Sequence, residues 1–200
     1  MRVVGVDPGK SGGLAVVSPT AAVAFPMPIV PATSKKGRDE YDIAGLRREL
    51  AGLQRSVEGL HVVIENLRPF PMTFAKKRQP GQEGAPEVSH GGTIANWNRG
   101  NSVGLFVGLC AGLGIPYTLV VPQAWQRAML EGTSPAASTK QRSILAAQRL
   151  FPTVSLVPPR CRKPHDGLAD ALLIAEWGRR MLAGDQGHQR GLLDVAEARP

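Results

Sequence analysis

The sequence predicts an α/β protein with a five-stranded mixed sheet and helices on both of its faces. Three observations predict it. Short β-rich apolar runs crowd the first 27 residues and are joined by tight turns, which reads as antiparallel neighbours. Helical and strand patterns then alternate, which adds further strands with helices packed over them. Hydrophobic residues make up 42% of the 200 residues, enough to bury a core and to exclude global disorder.

Each element has its own warrant. Arg2 to Val6 is an apolar β run that ends at Asp7. Pro8 to Gly13 turns the chain, Leu14 to Val17 forms a second strand, and Ala21 to Met27 forms a third after the Pro19-Thr20 turn. Tyr41 to Gln54 carries Ile43, Leu46, Leu50 and Leu53 at helical spacing, with Arg47, Arg48 and Glu49 turned outward. His61 to Ile64 is a buried strand that ends at Glu65. From Leu67 to about Ala95 no periodicity is visible, and four prolines, the cations Lys76, Lys77 and Arg78, and Gly91-Gly92 mark a long binding loop. A helix to Leu113 follows, with Gly104, Gly108 and Gly112 on one face. Tyr117 to Val121 is a strand, Gln123 to Leu130 and Lys140 to Leu150 are short helices, and Pro164 opens a last helix to about Ala183. The expected organisation is a single domain over residues 1–183 and a weakly structured tail over 184–200.

The 24 Lys and Arg outnumber the 16 Asp and Glu, for a net charge of +8. A polyanion is therefore the first partner to consider. The charge is dispersed rather than packed into the dense runs of ribosomal or histone-like proteins. Two cysteines, Cys110 and Cys161, with no C-x-x-C spacing, argue against a zinc ribbon or a disulfide scaffold. Gly114 and Pro116 break the longest uncharged stretch before it reaches the ~20 apolar residues of a spanning helix. An acid at position 7 comes too early for a signal peptide. A soluble cytoplasmic protein with no membrane partner is expected.

Acids stand at telling places. Asp7 and Glu65 end the first and fourth strands, and parallel neighbours in an open α/β sheet bring their carboxyl ends to one crevice. Asp166 and Asp170 lie four apart, on a helix face that continues through Leu173 and Trp177 toward the core. Two carboxylates on an inward face are costly unless a cation joins them, and oxygen-only donors suit Mg²⁺ or Mn²⁺. Any one of these acids alone is more often a turn or helix-start residue. Four of them together point to a site. Gly5 to Ser11 superficially matches a phosphate loop, but the motif needs a glycine where Val4 stands, and Pro8 lacks an N–H. No nucleotide cofactor is expected. No nucleophile elbow supports Ser/His/Asp catalysis. His165 adjoins Asp166 and is open to three roles, as metal ligand, proton carrier or phosphate contact, or to none, as a solvated helix-start residue.

Val4-Gly5-Val6-Asp7-Pro8-Gly9, Val63-Ile64-Glu65 and His165 to Leu172, in this order, resemble the RuvC family of Holliday junction resolvases. The resemblance implies a ribonuclease H-like fold and a homodimeric, metal-dependent endonuclease that nicks two symmetric strands of a four-way DNA junction. It implies metal-holding, catalytic roles for Asp7, Glu65 and Asp170. The family's remaining ligand commonly stands three residues before the last Asp, which here is Gly167. The fourth role then falls to Asp166, with His165 in reserve. Two metal ions would activate a water and stabilise the leaving 3′ oxygen, with Asp7, on the central strand, bridging them. DNA contacts are expected from Lys76, Lys77, Arg78 and Arg99, from Arg160, Arg162 and Lys163, and from Lys140 near a phosphate. Phe70, Phe74 and Trp97 could stack on opened bases; the alternative for each is core packing, which suits Trp97 better. Two alternatives stay open: a nuclease of the same fold acting on another branched or hybrid duplex, and a DNA-binding protein without activity. An actin-like sugar kinase is excluded by length and by the lack of a second phosphate loop.

Overall fold

The computed structural model describes residues 1–34, 39–56, 59–66, 73–75, 88–90 and 93–184. The chain opens with β1 (Arg2–Asp7), β2 (Gly13–Val17) and β3 (Ala22–Pro26), then a small ladder of β4 (Ile29–Val30) and β5 (Glu40–Tyr41). Helix α1 (Ile43–Ser56) leads to β6 (Leu60–Glu65). A hairpin of β7 (Thr73–Ala75) and β8 (Val88–His90) precedes α2 (Thr93–Leu113) and β9 (Tyr117–Val120). Helices α3 (Pro122–Met129), α4 (Thr139–Leu150) and α5 (Asp166–Leu182) complete the order.

The main sheet has five strands in the order β3-β2-β1-β6-β9. β1 pairs antiparallel with β2 and parallel with β6, and β9 continues the parallel half. This is the mixed sheet the sequence predicts, with β1 at its centre. Strand alternation sorts the core into two layers. Val4, Val6, Leu14, Val16, Val62 and Ile64 pack with Leu46 and Leu50 of α1 and Phe106 and Cys110 of α2. Val3, Ala15, Val17 and Val63 face α3, α4 and α5 on the other side.

Helix α5 is the keystone of the second layer. It crosses β1, β2, β3 and β6 and packs on α3 and α4. From Gly167 to Gly178 every residue but Asp170 is buried. Close approach is possible because glycines face it. A Cβ at Gly5 would collide with the Ala171 carbonyl oxygen and the Ala175 amide. A Cβ at Gly167 would lie 2.6 Å from the Ser11 carbonyl oxygen.

The buried charge on α5 is matched. Glu176 is 6% exposed and accepts from Arg179 Nε at 2.6 Å and Arg180 Nε at 2.9 Å. Burial pushes its carboxyl up, but the hydrogen bonds from Arg179 and Arg180 outweigh it and hold it below the usual range. The pairing stabilises the fold above pH 4.5, the ordinary value, and is lost as pH falls through the depressed one. Both arginines stay about 30% exposed, which moderates the effect. We expect Glu176→Gln to cost about 2 kcal/mol at pH 7, with the gap to the unsubstituted protein narrowing at a pH below 4.5. Denaturant titrations at the two pH values check this.

Some boundaries differ from those predicted. The last helix starts at Asp166 because His165 is its N-cap, in extended backbone, with its N–H donating to the Leu156 carbonyl at 2.8 Å. Pro164 thus stands outside the helix. α4 begins at Thr139, fixed by a capping box of Ser138 and Gln141. Residues 67–95 are not without regular elements, since β7 and β8 pair within them and α2 begins at Thr93. Strands of two or three residues are too short to leave a period in the sequence. Among the described residues, no helix is long and apolar enough to cross a membrane.

Candidate active site

Asp7 and Glu65 are the last residues of neighbouring parallel strands. Val6 is in register with Ile64, so the two acids are the next step on both strands. Val6 and Ile64 point toward α1 and α2. By alternation, Asp7 and Glu65 point the other way, toward α5. There Asp170 stands one turn after Asp166. The glycine contacts that seat α5 on β1 set how far Asp170 is from Asp7.

The electrostatics report the crowding. Burial, then the like charges of Glu65 and Asp170, push Asp7 up to about 7, with a smaller push from Asp166 and an opposing hydrogen bond from the Gly9 amide at 3.3 Å. Burial raises Glu65 to about 7, against the donation of Trp125 Nε1 to its Oε1 at 2.8 Å, and Asp170 raises it further. Burial raises Asp170 to about 6, with Ser143 lowering it in part and Asp166 raising it. Among the described residues, Ser143 Oγ closes no hydrogen bond with this carboxyl and Asp170 Oδ1 is buried without a partner.

Asp166 differs from the other three. Burial raises it, but Lys140 Nζ, 2.7 Å from its Oδ2, outweighs that and holds it below the ordinary range. Its side chain is 32% exposed and that of Lys140 78% exposed. His165 is half-buried, and its Nδ1 is buried with no hydrogen-bond partner among the described residues. Gly167, where a ligand three before the last Asp would stand, is packed against the Ser11-Gly12 backbone, so no side chain fits there.

Among the described residues, no group of three His, Cys, Asp and Glu is drawn together as a ready-made cation cage. The donor set nevertheless suits a hard divalent ion. It consists of carboxylate oxygens, three of the carboxyls are raised first by burial and then by neighbouring carboxylates, and one buried oxygen has no partner among the described residues. Asp7, Glu65 and Asp170 could hold such an ion, with Asp166 beside them.

The remaining predicted residues distribute as follows. Arg160, Arg162 and Lys163 are exposed on the segment that leads into α5, where Arg160 adopts a left-handed φ of 66°. Arg99 is half-buried on α2. Trp97, on the same helix, is 72% exposed, so it is not a core residue. Phe74 lies on β7. Phe70, Lys76, Lys77 and Arg78 lie outside the described residues, as does the tail from residue 185. Gly104, Gly108 and Gly112 form an open face of α2, with nothing among the described residues within 4 Å of where a Cβ would be. Sequence reasoning did not find Trp125 or Ser143. Trp125 is separated from Glu65 by 60 residues and reads as an ordinary core residue on a short helix.

No family model matches the chain, and no curated protein matches it. Solved structures do. The chain is similar to Thermus thermophilus RuvC in complex with a Holliday junction substrate, at 16% identity and a TM-score of 0.50, covering 92% of this chain and 96% of that one. It also aligns with Thermus thermophilus RuvC at 18% identity, a TM-score of 0.47, and coverage of 90% and 96%. The likeness to the first of these shows the fold, which is the ribonuclease H-like α/β fold.

Proposed function

We propose that this chain is a metal-dependent, structure-selective DNA endonuclease that resolves four-way junctions by paired symmetric nicks. The observation that carries the reading is the convergence of Asp7, Glu65 and Asp170 where two parallel strands end, with burial raising all three carboxyls and the charges of Glu65 and Asp170 raising Asp7 further. Unmatched, such a cluster would only repel DNA. The resemblance of the sequence motifs to the RuvC family and the shared fold point to the same substrate.

Asp7, Glu65 and Asp170 would hold Mg²⁺ or Mn²⁺, with Asp166 completing the set. Two such ions, when bound, activate a water for attack on phosphorus and stabilise the leaving 3′ oxygen. Trp125 fixes Glu65 by donating to Oε1, which leaves Oε2 for a cation. Lys140 holds Asp166 and turns its exposed ammonium to solvent, where a DNA phosphate would arrive. His165 stands at the N-cap of the same helix, beside Asp166.

The basic segment of Arg160, Arg162 and Lys163, with Arg99 and the exposed Trp97 on α2, supplies the DNA-facing surface in this reading. A junction with two-fold symmetry calls for a C2 dimer, and the open glycine face of α2 is the candidate interface. Neutralising Arg160, Arg162 and Lys163 together should flatten the dependence of log K on log salt by about 2 to 3. Junction binding measured from 50 to 200 mM salt reads this, and an unchanged slope puts the segment off the DNA. The function itself is tested by labelling each strand of a synthetic four-way junction in turn, with Mg²⁺ or EDTA. Cuts at symmetric positions in two strands of like polarity are expected. Cuts in one strand, or scattered over all four, would rule out paired resolution.

A further inference from the structure

On the α2 side of the β1–β2 turn lies a second concavity, a cleft of about 610 Å³. It begins at Gly9 and Ser11, two and four residues beyond Asp7. Its volume is in the ordinary range of small-ligand sites, roughly 300–1,000 Å³. None of the acids of the candidate active site lines it.

The lining has the chemistry of a nucleotide site. Lys10 and Arg99 bring two cations against the one carboxylate of Glu40, so the cleft favours an anion such as a phosphate. Lys10 is not loose. Its Nζ sits 5.7 Å from the centre of the Tyr41 ring and donates to the Asp39 carbonyl. Tyr41 is held in turn, its hydroxyl donating to the Pro8 carbonyl at 2.8 Å. Ile43 and Leu105 add apolar wall. Asn98 and Asn101, one turn apart on α2, supply amides that both donate and accept, and an Asn amide can pair with the N6 and N7 edge of adenine. A cationic side, an apolar wall and two amides suit a phosphate, a sugar and a base better than they suit a peptide or a simple anion.

We infer that this cleft is a subsite for one unpaired nucleotide of the DNA strand being acted on, with the phosphate toward Lys10 and Arg99 and the base edge toward Asn98 and Asn101. The inference rests on the DNA-processing reading above. The β1–β2 turn is the shared wall: Asp7 lies at its start, and Gly9 and Ser11 within it line the cleft. A strand with its phosphate at the acids can therefore place a neighbouring nucleotide across that turn. The cleft would help choose strands at a point where pairing is broken.

The test compares three labelled duplexes of one sequence without divalent cation: fully paired, with one unpaired adenosine, and with an unpaired abasic residue at the same place. The abasic duplex keeps the distortion and removes the base. Binding of the unpaired adenosine about tenfold tighter than of the abasic residue is expected. Asn101→Trp, which fills the cleft from an exposed position, should abolish that preference and leave binding of the paired duplex unchanged. Asn98→Ala with Asn101→Ala, which removes the amides and adds no bulk, should shrink the preference and reports the same result if the Trp variant misfolds. Equal binding of adenosine and abasic duplexes by the unsubstituted protein, or a preference that survives in both variants, would overturn the subsite. So would displacement of the unpaired-adenosine duplex by an equal concentration of dAMP, which would assign the cleft to a free nucleotide. Mg²⁺-dependent nicking of a four-way junction is followed in parallel. Nicking without any adenosine preference sinks the subsite alone, and absence of binding to every DNA sinks the nuclease reading with it.

Discussion

Asp7→Asn is expected to melt several degrees above the unsubstituted protein in EDTA at pH 8, and to lose Mg²⁺-dependent DNA cleavage by on the order of 10³-fold or more. The two effects share one cause. Burial and the charges of Glu65 and Asp170 raise Asp7 from 3.8 to about 7, so the folded chain holds this proton longer than the unfolded chain does. A group shifted in that direction makes stability fall as pH rises from about 4 to about 7, and the loss is complete above that window. The amide of Asn removes the charge and its penalty. It also relieves Glu65 and Asp170, which recovers on the order of 2 kcal/mol in EDTA. Mg²⁺ should close the gap at pH 8 by stabilising the unsubstituted protein alone, because a cation that binds only the folded state adds to its stability. Calorimetry at pH 5 and pH 8, with and without Mg²⁺, measures all four states. Identical pH dependence in the two proteins would mean that Asp7 is not crowded by charge.

Gly5→Ala is expected to destabilise the protein by about 3 kcal/mol. The added Cβ would meet Ala171 O and Ala175 N, and would lie 2.9 Å from Ala175 Cα. All of these are backbone atoms of a helix buried on nearly every side, so no side chain can swing away to make room. The relief available is to lift α5 from β1, which carries Asp170 away from Asp7. Whatever folded protein remains should therefore also lose its Mg²⁺-dependent rise in melting temperature. Gly52→Ala, on α1, is the control. It adds the same methyl to an open helix face and should be neutral or stabilise by up to about 1 kcal/mol. Denaturant midpoints of the two variants separate a packing effect from a general cost of removing glycine.

The strands of the sheet were legible because β1, β2 and β6 are apolar runs cut off by turn residues or acids, and the strand-end acids marked the crevice before any fold was known. The inward direction of Asp170 was legible from its spacing to Leu173 and Trp177. Asp166 shares that spacing but keeps 32% of its side chain in solvent and pairs with Lys140, because it stands in the first turn, beyond the buried stretch. What holds the acids was not legible. The Trp125 donation to Glu65 and the approach of Ser143 to Asp170 are long-range contacts, and neither leaves a local pattern. Gly5 read only as part of a strand-turn motif. That its missing Cβ seats a helix more than 160 residues away is a property of packing. The β4–β5 ladder leaves no period in the sequence because its strands are two residues long, and side chains help to hold them. Asp39 Oδ1 accepts from the Ala32 amide, and Tyr41 donates to Pro8. Trp97 suited both core and surface as a sequence position, and its exposure decides for the surface.

The central claim is that the acid cluster at the carboxyl ends of β1 and β6 turns a basic fold into an enzyme for branched DNA. The most direct measurement incubates the protein with a four-way junction and a linear duplex of equal sequence in one reaction with Mg²⁺, followed on one gel. Nicking of the junction, with the linear duplex intact and no cutting in EDTA, is the predicted result. Equal cutting of both DNAs, or an intact junction despite tight binding and saturating Mg²⁺, would contradict it.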